Sequence, residues 1–247
     1  MDCYEGLSAR FDRLMDWDRR RLREGPFFRR LVDRGLRTFL DCHCGTGFHC
    51  ALLTDMGCSV EGVDVSPHMI EVASRNLRAR GLDISLHLCD VKEMQIDRQF
   101  DCVLSMGNSL PHEFGDENLL RTLRRMHEAL KPGGQCVVHI ENFDRLYADG
   151  DRFIPSRFSR KRDGAEAFIF AIDYFEGRVV FNILSIIEEN GVSRFNVDVV
   201  EYNPLSCEKM RALLSDAGFM GIEAYGDFAL TPLDESESYD AIFIARK

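Results

Sequence analysis

The sequence has no run of apolar residues close to the ~20 that a helix needs to cross a bilayer. It also lacks an excess of positive charge, because 41 aspartate and glutamate residues outnumber 31 lysine and arginine residues and give a formal net charge of -10. Such a surface repels phosphate backbones and anionic lipids. We therefore expect no nucleic-acid or membrane partner, and the polar, acidic N-terminus does not predict a signal peptide.

Cysteine occurs nine times, an odd number that excludes complete pairing into disulfides within the chain. Cys89, Cys102 and Cys136 lie in apolar, strand-like runs, where they predict buried free thiols. Free thiols are typical of a reducing compartment, so we expect a cytoplasmic protein. The 247 residues, of which 45% are hydrophobic, suit a single domain over 1–247.

Apolar runs alternate with helical spacings along the first part of the chain. Strands are predicted at 37–41, 59–64, 84–89, 100–105 and 135–140, and helices at 49–56, 66–79 and 118–130. A further helix and two strands are predicted near the end, at 206–217, 221–225 and 239–245. The alternation predicts an α/β, Rossmann-like sheet of seven mostly parallel strands, with the last strand antiparallel.

The segment 153–203 interrupts this alternation. It has no good helix, but it has three β-rich runs separated by turn signals at Glu176-Gly177 and Asn190-Gly191. We expect an inserted antiparallel β meander here. It would form a lid over the acceptor side of the site, a surface for a homodimer, or both.

Candidate ligand-binding residues follow the predicted parallel strands, at the edge where open α/β sheets bind ligands. The loop 41–47 comes after the first strand, and its Gly45 and Gly47 would let the backbone approach a ligand closely. Asp64 ends the second strand, where a carboxylate can accept hydrogen bonds from both hydroxyls of a ribose. Asp90 ends the third, where it could accept the exocyclic amine of adenine while Val91 offers its backbone N–H.

NAD is an alternative ligand for this arrangement. It would favour a third small residue where the sequence has Cys50, and a catalytic tyrosine–lysine pair, which we do not find. Asp41, just before the glycine loop, is a poor neighbour for a pyrophosphate but a good one for a cofactor with sulfonium and ammonium groups. An NAD(P)-dependent oxidoreductase stays a second hypothesis, and a non-catalytic cofactor-binding protein a third.

Two structural explanations compete with a cofactor site. The strand-end aspartates could simply cap helices. A cluster of thiols and imidazoles near the loop could hold a metal; its members are Cys42, His43, Cys44, His49 and Cys50. Neighbouring residues of such a segment point different ways and no usual zinc spacing is present, so we expect no metal.

Three segments stand at these strand ends: FLDCHCGTG at 39–47, GVDVS at 62–66 and CDV at 89–91. With their spacing they resemble the first three motifs of class I S-adenosylmethionine-dependent methyltransferases. The resemblance implies S-adenosylmethionine as the cofactor and methyl transfer to a small molecule. The cofactor-binding residues that it implies are Tyr4, Asp41, Gly45, Thr46, Gly47, Asp64, Val65, Met69, Asp90, Val91 and Met106. Tyr4 would lie on an N-terminal helical lid over 1–34, or else be an exposed residue of a frayed terminus.

The segment GNSLPH at 107–112 differs from the N/D-P-P-aromatic motif of enzymes that methylate amino groups of nucleic-acid bases. With ENFD at 141–144 and GDF at 226–228, it is similar to segments of the glycine/sarcosine N-methyltransferase group. The resemblance implies an amine nitrogen as acceptor, faced by Asn108; O- or S-methylation of a small molecule is the alternative. His112 could take a proton from the acceptor or lie on the surface.

Glu141 departs from that group, in which the resemblance implies an arginine that clamps the substrate carboxylate. A glutamate would repel a carboxylate, so glycine and sarcosine should be poor substrates unless another basic residue replaces the clamp. Arg145, Arg152 and Arg157 are the candidates for this replacement. Glu141 would instead hold an amine-bearing acceptor or accept its proton, or it would point away and cap the following turn.

Overall fold

The structure is a computed structural model that describes residues 8–161, 164–189 and 191–247. In chain order its helices and strands are α1 Ser8–Met15, α2 Trp17–Asp33, β1 Thr38–Cys42, α3 Phe48–Asp55, β2 Ser59–Asp64, α4 Pro67–Ala79, β3 Ser85–Leu88, β4 Phe100–Ser105, α5 Asp116–Glu128, β5 Leu130–Glu141, α6 Phe143–Asp149, β6 Phe153–Lys161, β7 Gly164–Phe175, β8 Arg178–Glu189, β9 Val192–Tyr202, α7 Cys207–Asp216, β10 Met220–Tyr225 and β11 Asp240–Arg246.

The central sheet has seven strands in the order β10-β11-β5-β4-β1-β2-β3. β1 pairs in parallel with both β2 and β4, whereas β11, the last strand of the chain, is antiparallel to both β5 and β10. This arrangement confirms the predicted Rossmann-like sheet. The strand order reverses between β1 and β4, and such a switch point leaves a crevice at the carboxyl ends of the strands.

Local sequence explains why these elements begin where they do. β1 has the sequence TFLDC, and four of its five residues are buried, as expected for a strand covered on both faces. α4 begins after Ser66, whose hydroxyl accepts the backbone N–H of Met69 at 3.2 Å, and Pro67 occupies its first turn. Both signals are visible in the sequence, and both place the start of α4 beside the end of β2.

Helices cover both faces of the central sheet, which gives two hydrophobic cores. Alternate strand residues such as Leu40 and Phe39 belong to different cores. The Leu40 core includes buried residues of α5 and α7, and the Phe39 core includes residues of α2 and α3. Of the described helices, none is long and apolar enough to span a membrane.

A second sheet of four antiparallel strands, in the order β6-β7-β8-β9, follows β5 and α6 in the chain. Its presence confirms the predicted meander, but the sequence pattern predicted three strands rather than four. β6 has the sequence FIPSRFSRK at the edge of the sheet, and its proline and basic residues hide the alternation of a strand. One face of this sheet packs on α1, where Leu14 contacts a cluster of Phe168, Ile183 and Val200.

Candidate functional site

A cavity of about 690 Å³ opens at the carboxyl ends of the parallel strands. Nine of the predicted site residues line it: Gly45, Thr46, Asp64, Val65, Met69, Asp90, Val91, Met106 and His112. Four others, Asp41, Gly47, Asn108 and Glu141, lie outside the described lining. Tyr4 lies outside the described residues, and its role stays a prediction.

The loop between β1 and α3 forms one wall of the cavity. Gly45 and Gly47 both have positive φ, 52° and 87°, which a residue with a Cβ adopts only at a cost. A Cβ on Gly47 would also come 3.3 Å from the Cβ of Ala73 in α4. The glycines therefore let the chain turn tightly above the sheet, with Gly45 exposed to the cavity and Gly47 packed against α4.

Asp64 fixes this loop from the end of β2. Its Oδ2 atom accepts the backbone N–H of Gly45 at 2.8 Å, and its Oδ1 atom accepts the N–H of Ser66 at 2.9 Å. Each carboxylate oxygen can accept more than one hydrogen bond, so both can also serve a ligand in the cavity. The carboxylate stands at the end of β2, the neighbour of β1, beside the crevice where a ribose would lie.

Asp90 and its neighbours form a second charged part of the wall. The Asp90 carboxylate accepts the Lys92 backbone N–H at 3.0 Å and the Lys92 ammonium at 3.0 Å. The same ammonium lies 3.2 Å from Glu113, whose other oxygen accepts the Thr122 hydroxyl at 2.5 Å. Burial raises the pKa of Glu113, although these partners oppose the shift. Lys92 therefore already has two carboxylate partners.

Asp41 lies beneath the loop and is fully buried. The Cys50 thiol donates to its Oδ2 atom at 3.7 Å, whereas its Oδ1 atom has no hydrogen-bond partner among the residues that the structure describes. Burial raises the pKa of Asp41 to about 7, and the nearby Asp64 carboxylate acts in the same direction. An acid in this position can contribute negative charge under the loop without touching a ligand in the cavity.

Asn108 and Glu141 meet each other at the back of the site. The side-chain oxygen of Asn108 accepts the backbone N–H of Glu141 at 3.0 Å, and the Asn108 backbone has a positive φ of 64°. Burial and the Asp240 carboxylate raise the pKa of Glu141. Asn108 thus joins the loop after β4 to the end of β5, and direct contact of either side chain with an acceptor stays a prediction.

His139 completes this junction as a structural residue. Its Nδ1 atom accepts the Gly107 N–H at 3.2 Å, so the proton of the neutral ring is on Nε2, which donates to Asp240 at 2.9 Å. The ring is therefore held in one tautomer, with both nitrogens occupied.

Two imidazoles, His43 and His112, also line the cavity. Burial lowers the pKa of His112 to about 4, and the ring packs on Tyr202 of β9 with 4.7 Å between ring centroids. Burial also lowers the pKa of His43, whose Nδ1 atom is 3.1 Å from the Ser105 hydroxyl. Val199 and Glu201 of β9 line the cavity close by. The cavity wall therefore includes two histidines whose pKa values are lowered and one carboxylate from β9.

The N-terminal helices add wall residues that the sequence pattern did not reveal. Phe11 and Met15 of α1 line the cavity, as do Arg20 of α2 and His49 of α3. The Arg20 guanidinium donates to the buried Glu24 at 2.8 and 3.2 Å, and His49 is 2.8 Å from the same carboxylate. The spacing of Arg20 and Glu24, four residues apart on a helix, was the one local signal for this pair.

The electrostatics of this network favour ionised Glu24 and neutral His49. Burial opposes ionisation of Glu24, but Arg20 and His49 hold its pKa well below the usual range. Burial lowers the pKa of His49 to about 4. Arg20 is therefore paired with Glu24 before any ligand enters, and the same carboxylate also lies 3.3 Å from Arg23, which is 4.0 Å from Asp240.

The cavity suits a nucleoside cofactor with cationic groups. Gly45 leaves open space where a Cβ would stand, Asp64 and Asp90 present carboxylates at the strand ends, and Met69 and Met106 supply apolar surface. Buried negative charge at Asp64 favours a sulfonium or an ammonium group nearby. The chemistry of the residues present thus fits S-adenosylmethionine.

Comparison with known proteins agrees with this geometry. Residues 39–134 match the family model of a methyltransferase domain. The chain is 31% identical to the glycine/sarcosine N-methyltransferase of Parasynechococcus marenigrum (strain WH8102), over 91% of this chain and 78% of that protein. It is 30% identical to the glycine/sarcosine N-methyltransferase of Halorhodospira halochloris, over 98% and 88%.

A solved structure has a similar fold over nearly its whole length. It is an S-adenosylmethionine-dependent methyltransferase from Clostridium acetobutylicum ATCC 824, with a TM-score of 0.80, 17% identity and 99% coverage of both chains. The chain is therefore an S-adenosylmethionine-dependent methyltransferase, and it belongs to the family that includes the glycine/sarcosine N-methyltransferases.

Proposed function

We propose that this enzyme transfers the methyl group of S-adenosylmethionine to an amine nitrogen of a small molecule that carries no carboxylate. The observation that carries the proposal is the composition of the cavity wall. The wall combines Gly45 and Asp64, at the carboxyl ends of the parallel strands, with His112 and with Glu201 of β9. The named activity of the relatives, N-methylation of glycine and sarcosine, supports nitrogen as the acceptor atom.

The proposed cofactor contacts follow the wall from strand to strand. Asp64 accepts the ribose hydroxyls, and Asp90 with the Val91 N–H binds the adenine. The loop at Gly45 and Thr46 borders the remainder of the cofactor. S-adenosylmethionine supplies, when bound, a methyl group that its sulfonium has already activated. The protein therefore has to align the acceptor nitrogen and exclude water.

The two neutral histidines suit an amine. Because the pKa of His112 is about 4, its ring is uncharged near neutral pH and can accept a hydrogen bond from an N–H group without repelling a cation. Glu201 adds a carboxylate that lies 3.6 Å from Arg178 in a half-exposed pair; its second oxygen can attract an ammonium group and accept the proton that the nitrogen loses. We propose His112 and Glu201 as acceptor-facing residues. We propose Asn108 as a positioning residue that holds the loop after β4.

The positive charges near the cavity are already paired, which argues against a carboxylate-bearing acceptor. Among the described lining residues, the arginine and lysine side chains are Arg20, held by Glu24, and Lys92, held by Asp90 and Glu113. Two arginines that the sequence offered as replacements for a clamp also have other partners. Arg145 pairs with Asp149 and Arg152 with Asp173, each at 3.0 Å. The side chain of the third, Arg157, lies outside the described part of the chain.

Glu141 was the sequence candidate for holding the amine. Its side chain is not among the described residues that line the cavity, whereas Glu201 is. We therefore propose that the carboxylate that holds the amine belongs to Glu201. Glu141 is the comparison residue in the experiment that tests this assignment.

The other predictions extend this proposal. We propose that 1–34 and 153–203 act as lids on a single domain, since Phe11 and Met15 come from the first segment and Val199 and Glu201 from the second. We also propose a cytoplasmic enzyme that does not act on nucleic acid, in keeping with the net charge of -10. A homodimer is part of the same proposal.

The test is a two-stage ligand screen. Thermal-shift measurements with S-adenosylmethionine, S-adenosylhomocysteine and NAD should show stabilisation by the first two alone. A methyl-transfer screen should then cover ethanolamine and other carboxylate-free amines, glycine, sarcosine, thiols and phenols. We expect carboxylate-free amines to be the best acceptors. Preferred methylation of a thiol, a phenol or sarcosine would contradict the proposal.

A further inference from the structure

The second sheet has one face that its own domain leaves exposed. In an antiparallel pair, residues directly opposite each other share a face. The register therefore places Phe195, Val197 and Val199 of β9 on the same face as Ile186 and Leu184 of β8. The other face carries Val200 and Ile183 and is the one that packs on α1.

The same face continues across the sheet to its opposite edge. The register joins Ile186 to Ala167 and Leu184 to Ile169 of β7, and then Ala167 to Phe158 and Ala171 to Phe153 of β6. We call this the outer face; its described apolar members are Phe153, Phe158, Ala167, Ile169, Ala171, Leu184, Ile186, Phe195, Val197 and Val199. It spans four strands, and its centre has no ionisable residue. Asn182 of β8, opposite Ala171 and Val199, is a polar residue of the same face, and Asp173, Glu188 and Glu201 lie on it toward its ends.

The outer face is unusually exposed for apolar residues. Phe153, Phe158 and Phe195 are 64%, 75% and 61% exposed, and Ile186, Val197 and Val199 lie between 42% and 50%. These six side chains present roughly 600 Å² of apolar surface. The largest apolar patch of a typical monomer is about 300–600 Å², so this area is at the upper limit for a surface that stays in water.

We infer that the outer face binds the outer face of a second copy of this chain, so that the two sheets stack across a two-fold axis. A standard protein interface buries about 800 Å² per partner, an area that the six side chains and their partly buried neighbours can supply. A two-fold contact brings each patch against itself, and an apolar patch without ionisable groups is compatible with its own copy. A partner with a charged surface would find no ionisable side chain to pair with at the centre of the outer face.

The border of the outer face has the polar groups that an interface rim needs. Arg178 and Glu201 lie 3.6 Å apart at one end, and the pair Arg152–Asp173 is at the same end. Glu188, opposite Ser193, stands at the other end. The apolar centre and the charged border of the outer face together define where the second copy would bind.

The stacked copy would also border the active site. Val199 belongs to the outer face, and Val199 and Glu201 both line the cavity. A second copy seated on this face therefore covers the β9 side of the cavity mouth and excludes water from the acceptor end. This consequence for turnover rests on the proposed acceptor site, whereas the choice of the outer face as the homodimer contact rests on the exposure of that face alone.

The test compares two matched lysine substitutions by light scattering after size exclusion, at about 50 µM protein. Phe195→Lys places a charge in the outer face, and Leu22→Lys places the same charge on α2, where Leu22 is 81% exposed. The wild type and Leu22→Lys should have twice the monomer mass of 28.3 kDa, and Phe195→Lys should have the monomer mass. Val197→Lys provides a second substitution in the same face.

Folding and cofactor binding of the variants are checked separately, by thermal unfolding and by calorimetry with S-adenosylhomocysteine. A monomeric wild type would overturn the inference, and so would dimers that persist in both Phe195→Lys and Val197→Lys. With ethanolamine as acceptor, monomeric Phe195→Lys should show at least a threefold higher KM at unchanged S-adenosylhomocysteine affinity. An unchanged KM would overturn the role of the second copy at the cavity mouth.

Discussion

The carboxylate of Asp12 in α1 accepts a hydrogen bond from the hydroxyl of Thr46 in the cofactor loop, at 2.5 Å. It also accepts the Trp17 indole N–H at 2.9 Å and the Asn76 amide of α4 at 2.7 Å. One side chain therefore connects the N-terminal helices to two elements that border the cavity. Because Phe11 and Met15 line the cavity from the same helix, we expect this connection to determine how firmly α1 closes the cavity.

The first prediction is that Asp12→Ala loosens the N-terminal lid. Hydrogen bonds to a charged group contribute about 1.5–3 kcal/mol each. When Asp12 is removed, the three groups that donate to it can bond to water instead, so the net loss is smaller than that sum. We expect the dissociation rate of S-adenosylhomocysteine to rise about 3–10-fold and trypsin to cleave faster within the arginine-rich α2. Stopped-flow displacement and timed proteolysis measure the two effects. Asp18→Ala, an exposed change in α2, is the control, and equal behaviour of the two variants would contradict the prediction.

The second prediction concerns Asp64, which both holds the Gly45 N–H and faces the cavity. Removing an acceptor leaves buried donors unsatisfied at a cost of about 1–3 kcal/mol each. Asp64→Ala should therefore weaken S-adenosylhomocysteine binding more than tenfold in calorimetry. Asp83→Ala, at an exposed position after α4, should bind normally. An unchanged affinity in folded Asp64→Ala would refute the assignment of the ribose to this carboxylate.

The central sheet could be predicted from the sequence because its signals are local. β2 (SVEGVD) and β4 (FDCVLS) have predicted and observed limits that agree, and the Ser66–Pro67 pair marks the start of α4. Strand-end aspartates then follow from the topology, since parallel strands bring their carboxyl ends to one edge. The nine predicted residues that line the cavity come from these elements.

The remaining wall residues depend on tertiary contacts that no local pattern records. Asp12 reaches Thr46 from 34 positions away, and Glu201 reaches the cavity only because β9 crosses to it. α6, Phe143–Asp149, was missed because seven residues are too few to show helical periodicity. The positive φ of 70° at His43, which turns that residue toward the cavity, is likewise a product of the folded loop.

The third prediction is a pH-dependent stability effect at Asp41. Its pKa is about 7 in the folded chain and near 3.8 when unperturbed, so between about pH 4 and 7 the folded state binds more protons than the unfolded state. Stability is therefore lost as pH rises through this window, by an amount on the order of a few kcal/mol. Asp41→Asn cannot ionise, so its advantage over the wild type should be absent near pH 4, partial near pH 5 and several degrees of unfolding temperature at pH 8.5.

The control for this effect is Asp101, which has the opposite environment. Burial opposes ionisation there, but Lys131 at 2.7 Å and the Thr38 N–H at 2.8 Å hold the pKa of Asp101 below its usual range. Its contribution is present at high pH and lost as pH falls, so Asp101→Asn should be less stable than the wild type at pH 8.5. Thermal unfolding of the three proteins at both pH values decides the matter. If Asp41→Asn proves less stable than the wild type at pH 8.5, the ionised Asp41 carboxylate does not destabilise the folded state and the prediction is wrong.

The last prediction separates Glu201 from Glu141 as the carboxylate that selects the acceptor. Glu201 is exposed at the cavity wall, and Glu141 is held beside Asp240 away from the described lining. If Glu201 attracts the amine, Glu201→Gln should lower kcat/KM for ethanolamine at least threefold at low salt and less at high salt, because an exposed charge is screened. The same change should leave sarcosine turnover equal or higher, since it removes repulsion of a carboxylate. Glu141→Gln should leave the ratio of the two substrates unchanged. Steady-state kinetics on both substrates at two salt concentrations measure these effects. A ratio that moves with Glu141→Gln and not with Glu201→Gln would return the selecting role to Glu141 and require its side chain to turn into the cavity when the acceptor binds.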